Sequence, residues 1–199
     1  MELIYQSPID LRTKDIIFYI SQSIRLKGKN KGAKYIEENN IFELEDKIIL
    51  RIDSKKYQLI EYHFHVEGEH LINGKGFPSE IHFVFYEVDE NCECHSSSKF
   101  QPKHIDVCGG EVTDEKILVI GRVIKNGHKH LKLDKLQVDV PSKYFEYDGS
   151  LTGSGDGSTP VRWIVGDKHI CLPLDKIKEV AKGSRPVQNL DNRLILSSC

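Results

Sequence analysis

Between residues 61 and 86 the chain carries three histidines, His63, His65 and His82, in a spacing that suits metal ligation. His63 and His65 stand two apart in a run that alternates polar and apolar residues. On an extended strand Glu61, His63 and His65 then share one face, and Tyr62, Phe64 and Val66 share the other. The run from 80 to 86 alternates in the same way, with Glu80, His82, Val84 and Tyr86 on one face and Ile81, Phe83 and Phe85 on its apolar reverse. Three neutral imidazoles with no fourth protein ligand describe an open zinc site, in which water takes the remaining tetrahedral position. A structural zinc site would call for four ligands, cysteines among them, and no cysteine lies within this stretch. Taken alone, an H-x-H pair on a strand is more often a solvated polar face than a metal site, and spacing alone leaves the metal reading the minority one.

Positioning these side chains requires the two strands to pair. Asn73-Gly74 is the strongest short hairpin turn signal in the sequence, and a pairing centred on it sets His65 opposite His82, with His63 two residues along the same face. The rest of the chain has the punctuation of an all-β protein. Strands are expected over Asp15 to Arg25, at Tyr35-Ile36, from Ile41 to Leu44, from Ile48 to Ile52 and from Ile117 to Ile124. Turns are expected at Asp53-Ser54-Lys55-Lys56 and Asn126-Gly127, and a solvated loop over Lys27 to Lys34. Leu174, Ile177 and Val180, spaced by three and ended by Gly183, predict one helix. Glu90 to Gly110 is polar and irregular and reads as a long surface insertion. Its Cys92, Cys94, His95, His104 and Cys108 match none of the usual zinc spacings, so reduced thiols in a loop are the simpler reading. His128 and His130 sit among lysines near a turn, as an exposed pair would.

Composition narrows the function. A chain of 199 residues with 39% hydrophobic content fits one domain over 1–199 with a core of its own. Lys and Arg total 28 against 30 Asp and Glu, so there is no basic field for nucleic acid or an anionic membrane. The longest apolar runs, such as Ile16 to Ile20, are too short to span a bilayer. Five cysteines, an odd number, and no N-x-Ser/Thr sequon favour a reducing, cytoplasmic setting, with a secreted or cell-surface location open if the chain is a trimmed one.

The wording Tyr62-His63-Phe64-His65, then Gly68-Glu69-His70, then Glu80-Ile81-His82-Phe83-Val84 resembles the zinc-binding core of the α-class carbonic anhydrases. Further matches follow in the family's order: Gln6-Ser7-Pro8-Ile9-Asp10, Tyr147-Asp148-Gly149-Ser150-Leu151-Thr152, Val161-Arg162-Trp163-Ile164-Val165 and Arg185-Pro186-Val187-Gln188. The resemblance covers nearly the whole chain, without a counterpart to the family's N-terminal segment. It implies a mainly β fold with minor helices, built on a large, twisted, mostly antiparallel sheet. It also implies one Zn²⁺ held by His63, His65 and His82, and reversible hydration of carbon dioxide to bicarbonate, with ester hydrolysis as a side activity.

By the same resemblance, Glu80 orients the third histidine, and Glu61 takes the place of a usual glutamine beside the first. Thr152 and Glu69 match the pair that orients the attacking oxygen. Val84, Val119, Leu151, Val161 and Trp163 fall where the family builds its apolar substrate wall. His70 is expected to be structural, and Ser7-Pro8 matches a cis peptide whose serine hydroxyl meets Tyr147. Two departures stand out. The loop from Gly153 to Pro160 is longer and richer in glycine than the family's, and Asn40 occupies the position of the proton-shuttle histidine, where an amide cannot carry a proton. The alternative is a binding protein on the same scaffold, holding a glycan or protein partner, although retention of all three histidines argues against it. Oligomeric state is not legible.

Overall fold

The computed structural model describes residues 5–88, 117–128, 130–153 and 159–198. In chain order its strands are β1 (Asp10–Leu11), β2 (Ile16–Ile20), β3 (Ile24–Lys27), β4 (Lys34–Ile36), β5 (Ile41–Glu43), β6 (Ile49–Ile52), β7 (Lys55–Val66), β8 (Leu71–Ile72), β9 (Ser79–Val88), β10 (Ile117–Asn126), β11 (Tyr144–Ser150), β12 (Pro160–Gly166), β13 (Ile170–Leu172), β14 (Lys182–Gly183) and β15 (Ile195–Ser198). One α-helix among the described residues, α1 (Leu174–Val180), separates β13 from β14. Thirteen strands form one sheet with the main order β2-β15-β11-β12-β10-β9-β7-β5-β4, while β1 and β8 make a small parallel pair of their own.

The pairing is mostly antiparallel, and the two longest neighbours, β7 and β9, form the middle of the sheet. Val, Ile and aromatic residues recur at every second position there, which suits a pleated sheet with both faces covered. Phe64, Ile81, Phe83 and Phe85 face one core, together with Tyr62, Leu118, Ile120 and Ile164. The opposite face of the same strands carries Val84, Val119, Trp163, Tyr147 and Val161 into a second core. The histidines lie on this second side.

Several expectations change once the chain is folded. The Asn73-Gly74 turn does not close the β7–β9 hairpin: twelve residues, 67–78, lie between the strands, and the register sets His63 opposite His82 and His65 opposite Glu80. The reason is a competing partner. β8 runs beside β1, Asn73 Oδ1 accepts from the Thr13 amide at 2.8 Å, and the Gly74 amide donates to Asp10 at 2.9 Å. The turn forms, with Asn73 and Gly74 both at positive φ, but it serves the N-terminal segment. The strand expected over Asp15 to Arg25 is broken into β2 and β3 at Ser21-Gln22-Ser23. Helix α1 ends at Val180, short of Gly183, because Lys182 and Gly183 leave it to join β7 as β14. Residues Cys92, Cys94, His95, His104 and Cys108, and 154–158 of the glycine-rich loop, lie outside the described residues. His128 and His130 are exposed.

The stretch Lys27 to Lys34 is a loop, but its centre is not solvated. Asn30 is 4% exposed, and its amide nitrogen donates to the Asp134 and Leu136 carbonyls, each at 3.0 Å, and to the Tyr62 hydroxyl at 3.3 Å. Asn30 Oδ1 accepts from the Gly32 amide at 2.9 Å. One side chain thus ties this loop to 133–136 and to the back of β7. Replacing Asn30 by alanine leaves several buried partners unsatisfied and should cost about 2–3 kcal/mol. The measurement is urea unfolding, which should show a lower midpoint at an unchanged slope; an unaltered midpoint would show that the loop is held by other contacts.

Candidate metal centre

β7 and β9 carry the three histidines, and the register brings them together. His63 and His65 share a face of β7, His82 stands directly across from His63, and the ring centroids are separated by 5.1 Å (63–65), 5.4 Å (63–82) and 4.7 Å (65–82). One ligand nitrogen from each lies within 4.8 Å of the others, and all three residues are buried. Each ring spends its other nitrogen on a fixed acceptor. His63 Nδ1 donates to Glu61 Oε1 at 3.0 Å, His65 Nδ1 to the Gly183 carbonyl at 2.8 Å, and His82 Nε2 to Glu80 Oε1 at 3.1 Å. These bonds fix the tautomers, so Nε2 of His63, Nε2 of His65 and Nδ1 of His82 present lone pairs to one point. His65 Nε2 is buried with no hydrogen-bond partner, which is the mark of an atom whose partner is a bound ion. The residues therefore fit a divalent metal, and three nitrogens with no carboxylate or thiolate suit zinc.

Electrostatics agree with that donor set. Burial lowers the pKa of all three imidazoles, to about 3 for His65 and about 4 for His82, and His63 is depressed well below the usual range by burial and by the cation of Lys182. They are neutral ligands throughout the physiological range. Burial opposes ionisation of Glu80, yet the imidazole of His70 and its own hydrogen bonds hold it well below the normal carboxylate range. Glu80 Oε2 accepts from the backbone amides of Glu69 at 2.9 Å and His70 at 2.8 Å, and Oε1 accepts from His70 Nδ1 at 2.7 Å. His70 Nε2 lies 2.6 Å from the Tyr147 hydroxyl, which donates to Ser7 Oγ at 3.1 Å. His70 is thus fully engaged. Ser7-Pro8 is cis, and a Cβ on Gly149 would collide with the Ser7 hydroxyl, so this corner admits only glycine.

A cavity of about 200 Å³ opens onto His63 and His82. Val84, Val119, Leu151 and Trp163 form an apolar wall, with Ile41 and Ile60 beside them, while Asn39, Glu43, Glu61, Thr152 and Lys182 make the polar side. Val161 does not reach this cavity and packs with Trp163 in the core behind it. Asn40 lies apart from the lining: it adopts positive φ and its Oδ1 accepts from the Tyr35 hydroxyl at 2.6 Å, so the wall residue at this point is Asn39. Glu69 is buried and pushed up to about 7 by burial, although Thr152 and the Arg185 amide, which donates to Oε1 at 2.8 Å, oppose part of that rise. Glu69 Oε2 has no well-aligned donor. Sequence reasoning missed the Gly183 carbonyl and the cavity position of Lys182, since a two-residue strand carries no periodic signal.

The fold has counterparts among solved structures. A structure of the α-carbonic anhydrase from Thermovibrio ammonificans with the inhibitor sulfanilamide superposes with a TM-score of 0.68 at 23% identity, covering 96% of this chain and 86% of that one. A structure of dioscorin complexed with ascorbate gives 0.71 at 19% identity over 98% and 85% of the two chains. At these identities the likeness is one of fold. Among sequences, a carbonic anhydrase of Pectobacterium atrosepticum is 24% identical over 168 residues, covering 74% of this chain and 61% of that protein. Alpha carbonic anhydrase 3 of Arabidopsis thaliana is 24% identical over 215 residues, covering 96% and 73%. The match thus spans about three fifths of the length of the Pectobacterium relative. The family description of eukaryotic-type carbonic anhydrases matches residues 3–199, a span that takes in all three histidine ligands, every strand that carries them and the cis Ser7-Pro8 corner, and the chain belongs to that family.

Proposed function

We propose that this chain hydrates carbon dioxide reversibly to bicarbonate at a zinc ion held by His63, His65 and His82, as one unit over residues 1–199. The observation that carries the reading is the convergence of three tautomer-fixed lone pairs beside an apolar wall. Zinc bound there acidifies a water ligand so that a nucleophile exists near neutral pH, a property for which carbonic anhydrases are themselves the standing example.

The chain's own groups supply the rest. Glu61, Gly183 and Glu80 hold the imidazole protons away from the metal side. Thr152 lines the cavity, and by donating its hydroxyl proton to the buried Glu69 carboxylate it would keep a lone pair turned to the reacting oxygen and restrict that oxygen to one orientation. Val84, Val119, Leu151 and Trp163 hold an apolar gas molecule and exclude competing water. The reaction releases one proton per bicarbonate. Asn39, at the cavity wall, and Asn40, behind it, have no titratable group, so proton export falls to solvent buffer or to Glu43. Retention of all three histidines together with Thr152 and Glu69 argues against a binding module on this scaffold. The odd cysteine count keeps the cytoplasm as the proposed compartment.

Stopped-flow carbon dioxide hydration with metal content measured on the same sample tests the reading; zinc-replete protein without hydration would overturn it. His82→Ala should remove bound zinc and abolish activity, and Glu80→Gln should weaken zinc binding by about 10–100-fold. Imidazole buffer should raise kcat while leaving kcat/KM nearly constant, and a histidine at the cavity wall, Asn39→His rather than Asn40→His, should make kcat less dependent on buffer. Indifference of kcat to buffer in the unmodified protein would assign proton export to a group already present.

Metal-free protein offers a further check. The imidazoles have folded pKa values below their unfolded value of about 6.5, so the unfolded chain binds more protons and stability falls with pH from about 6.5 toward 4. Glu69 acts oppositely, since its folded pKa of about 7 lies above the unfolded one and favours the fold as pH drops. Glu61 and Glu146, which burial also raises, act with Glu69, and the depressed imidazoles should still leave a net proton uptake on unfolding near pH 5.5. Urea titrations from pH 7 to 5 measure that slope, and a flat profile would mean that the tripod is not neutral.

A further inference from the structure

Six large apolar side chains are exposed among the described residues, and three of them, Ile17 (52%), Phe18 (59%) and Tyr19 (66%), are consecutive on β2. Two more lie close by. Leu194 precedes Ile195, the residue of β15 level with Ile16, and Leu26 belongs to an open groove that Ile20 and Ile24 line together with Val138, Val140 and Pro141. β2 also ends the sheet: β15 pairs with it on one side, and no described strand pairs with it on the other. A strand in that place presents a row of unpaired amides and carbonyls, which proteins ordinarily blunt with charge, proline or a bulge. The opposite edge follows that rule, since β4 has three residues, begins with Lys34 and runs into Glu37 and Glu38. β2 follows it only in part. Its ladder to β15 is irregular between Ile16 and Phe18 and regular from Phe18 to Ile20, and its five residues include no charge and no proline.

We infer that β2 is a dimerisation edge, and that its occupant is the β2 of a second copy of this chain, laid antiparallel across a two-fold axis near Phe18. The strand is complementary to itself in that arrangement. The pairing matches Ile16 with Ile20, Ile17 with Tyr19 and Phe18 with its own copy, and it sets Asp15 against Ser21 and Lys14 against Gln22, so no two like charges meet. The area suffices as well. The exposed parts of Ile17, Phe18, Tyr19, Leu26 and Leu194 amount to roughly 400–500 Å² on one chain, enough to mark an interaction site, and two copies together approach the ~1,000 Å² that a specific interface needs. The charges at β4 discourage β2 from stacking on that edge and growing a filament, whereas a two-fold pair consumes both copies of β2 and closes. The metal cavity, on β5, β7 and β9, is separated from this edge by β15, β11, β12 and β10, so both sites of the dimer stay open and the inference does not rest on the zinc reading.

Sedimentation velocity on the full chain, from micromolar to submillimolar concentration, tests the pairing and should show a species of twice the chain mass. Phe18→Lys and Phe18→Glu should each weaken that dimer by about 100-fold or more, and an equimolar mixture of the two should restore it, because lysine then faces glutamate across the axis. The β2 amides should exchange hydrogen more slowly in the dimer than in either variant alone. A monomer throughout the range, a dimer untouched by the substitutions, a mixture that stays monomeric or an open-ended assembly would overturn the inference. So would β2 amides already protected in a monomer, which would assign the edge to another part of the same chain. Should either variant fail to fold, Tyr19→Lys, at the most exposed position of the strand, carries the same expected loss, and a dimer that survives it refutes the pairing.

Discussion

The carboxylate of Glu80 is wholly buried, and an ion survives such burial only where donors replace the water it has lost. Four donors do so here: the amides of Glu69 and His70, the Nδ1 of His70 and the Nε2 of His82. Two of them fix the chain path between β7 and β9, one fixes a metal ligand, and one connects through His70 to Tyr147 and Ser7. Gly121, facing His82 across the β9–β10 pair, leaves room for this group, since a Cβ there would sit 3.0 Å from Glu80 Oε1. A charge in a dry interior is costly alone and informative in company, because every donor around it is compelled to a single position.

The sheet divides its labour by the simplest rule of strand geometry. Alternate residues of β7 and β9 point to opposite sides, so one strand delivers Tyr62 and Phe64 to an apolar core and His63 and His65 to the site. Precision at the metal follows from packing on the reverse face. Tyr62 and Phe42 stack there with centroids 5.0 Å apart, and Tyr62 is pinned by Asn30 and by the Leu133 carbonyl. A ring on a strand so anchored has little freedom to wander, which is what a ligand set requires.

How much of this was legible depended on distance along the chain. Alternation over 61–66 and 80–86 is local, and it puts His63 and His65 on one face of the first strand and His82 on the polar face of the second. The motif around Glu69 and Thr152 was legible through resemblance. Register was not, because the connection from 67 to 78 is decided by Asp10 and Thr13, far away in sequence, rather than by the turn chemistry of Asn73-Gly74. Nor was the role of Gly183, whose contribution is a backbone carbonyl that any residue possesses. Asn30 was hidden for a similar reason: an asparagine among lysines and glycines has the composition of a solvated loop, and only the fold supplies the carbonyls that it satisfies.

The contacts that close the corner behind the tripod join the two ends of the chain. The Ser7 amide donates to Ser150, Arg185 reaches the Ser7 carbonyl, and Arg193 reaches the Gln6 carbonyl, so separations run from 143 to 187 residues. Topology of this kind is slow to assemble, since little local structure rewards the closure of such long loops. At a synthesis rate of roughly 5–20 residues per second, some 10–40 s separate the appearance of Ser7 from that of Arg193. Once His82 has been made, roughly 5–20 s pass at that rate before Gly183 exists to give its carbonyl to His65, and the corner closes later still. The metal tripod is on this account set in place only once β14 and the 185–193 segment have been made, well after the histidines themselves.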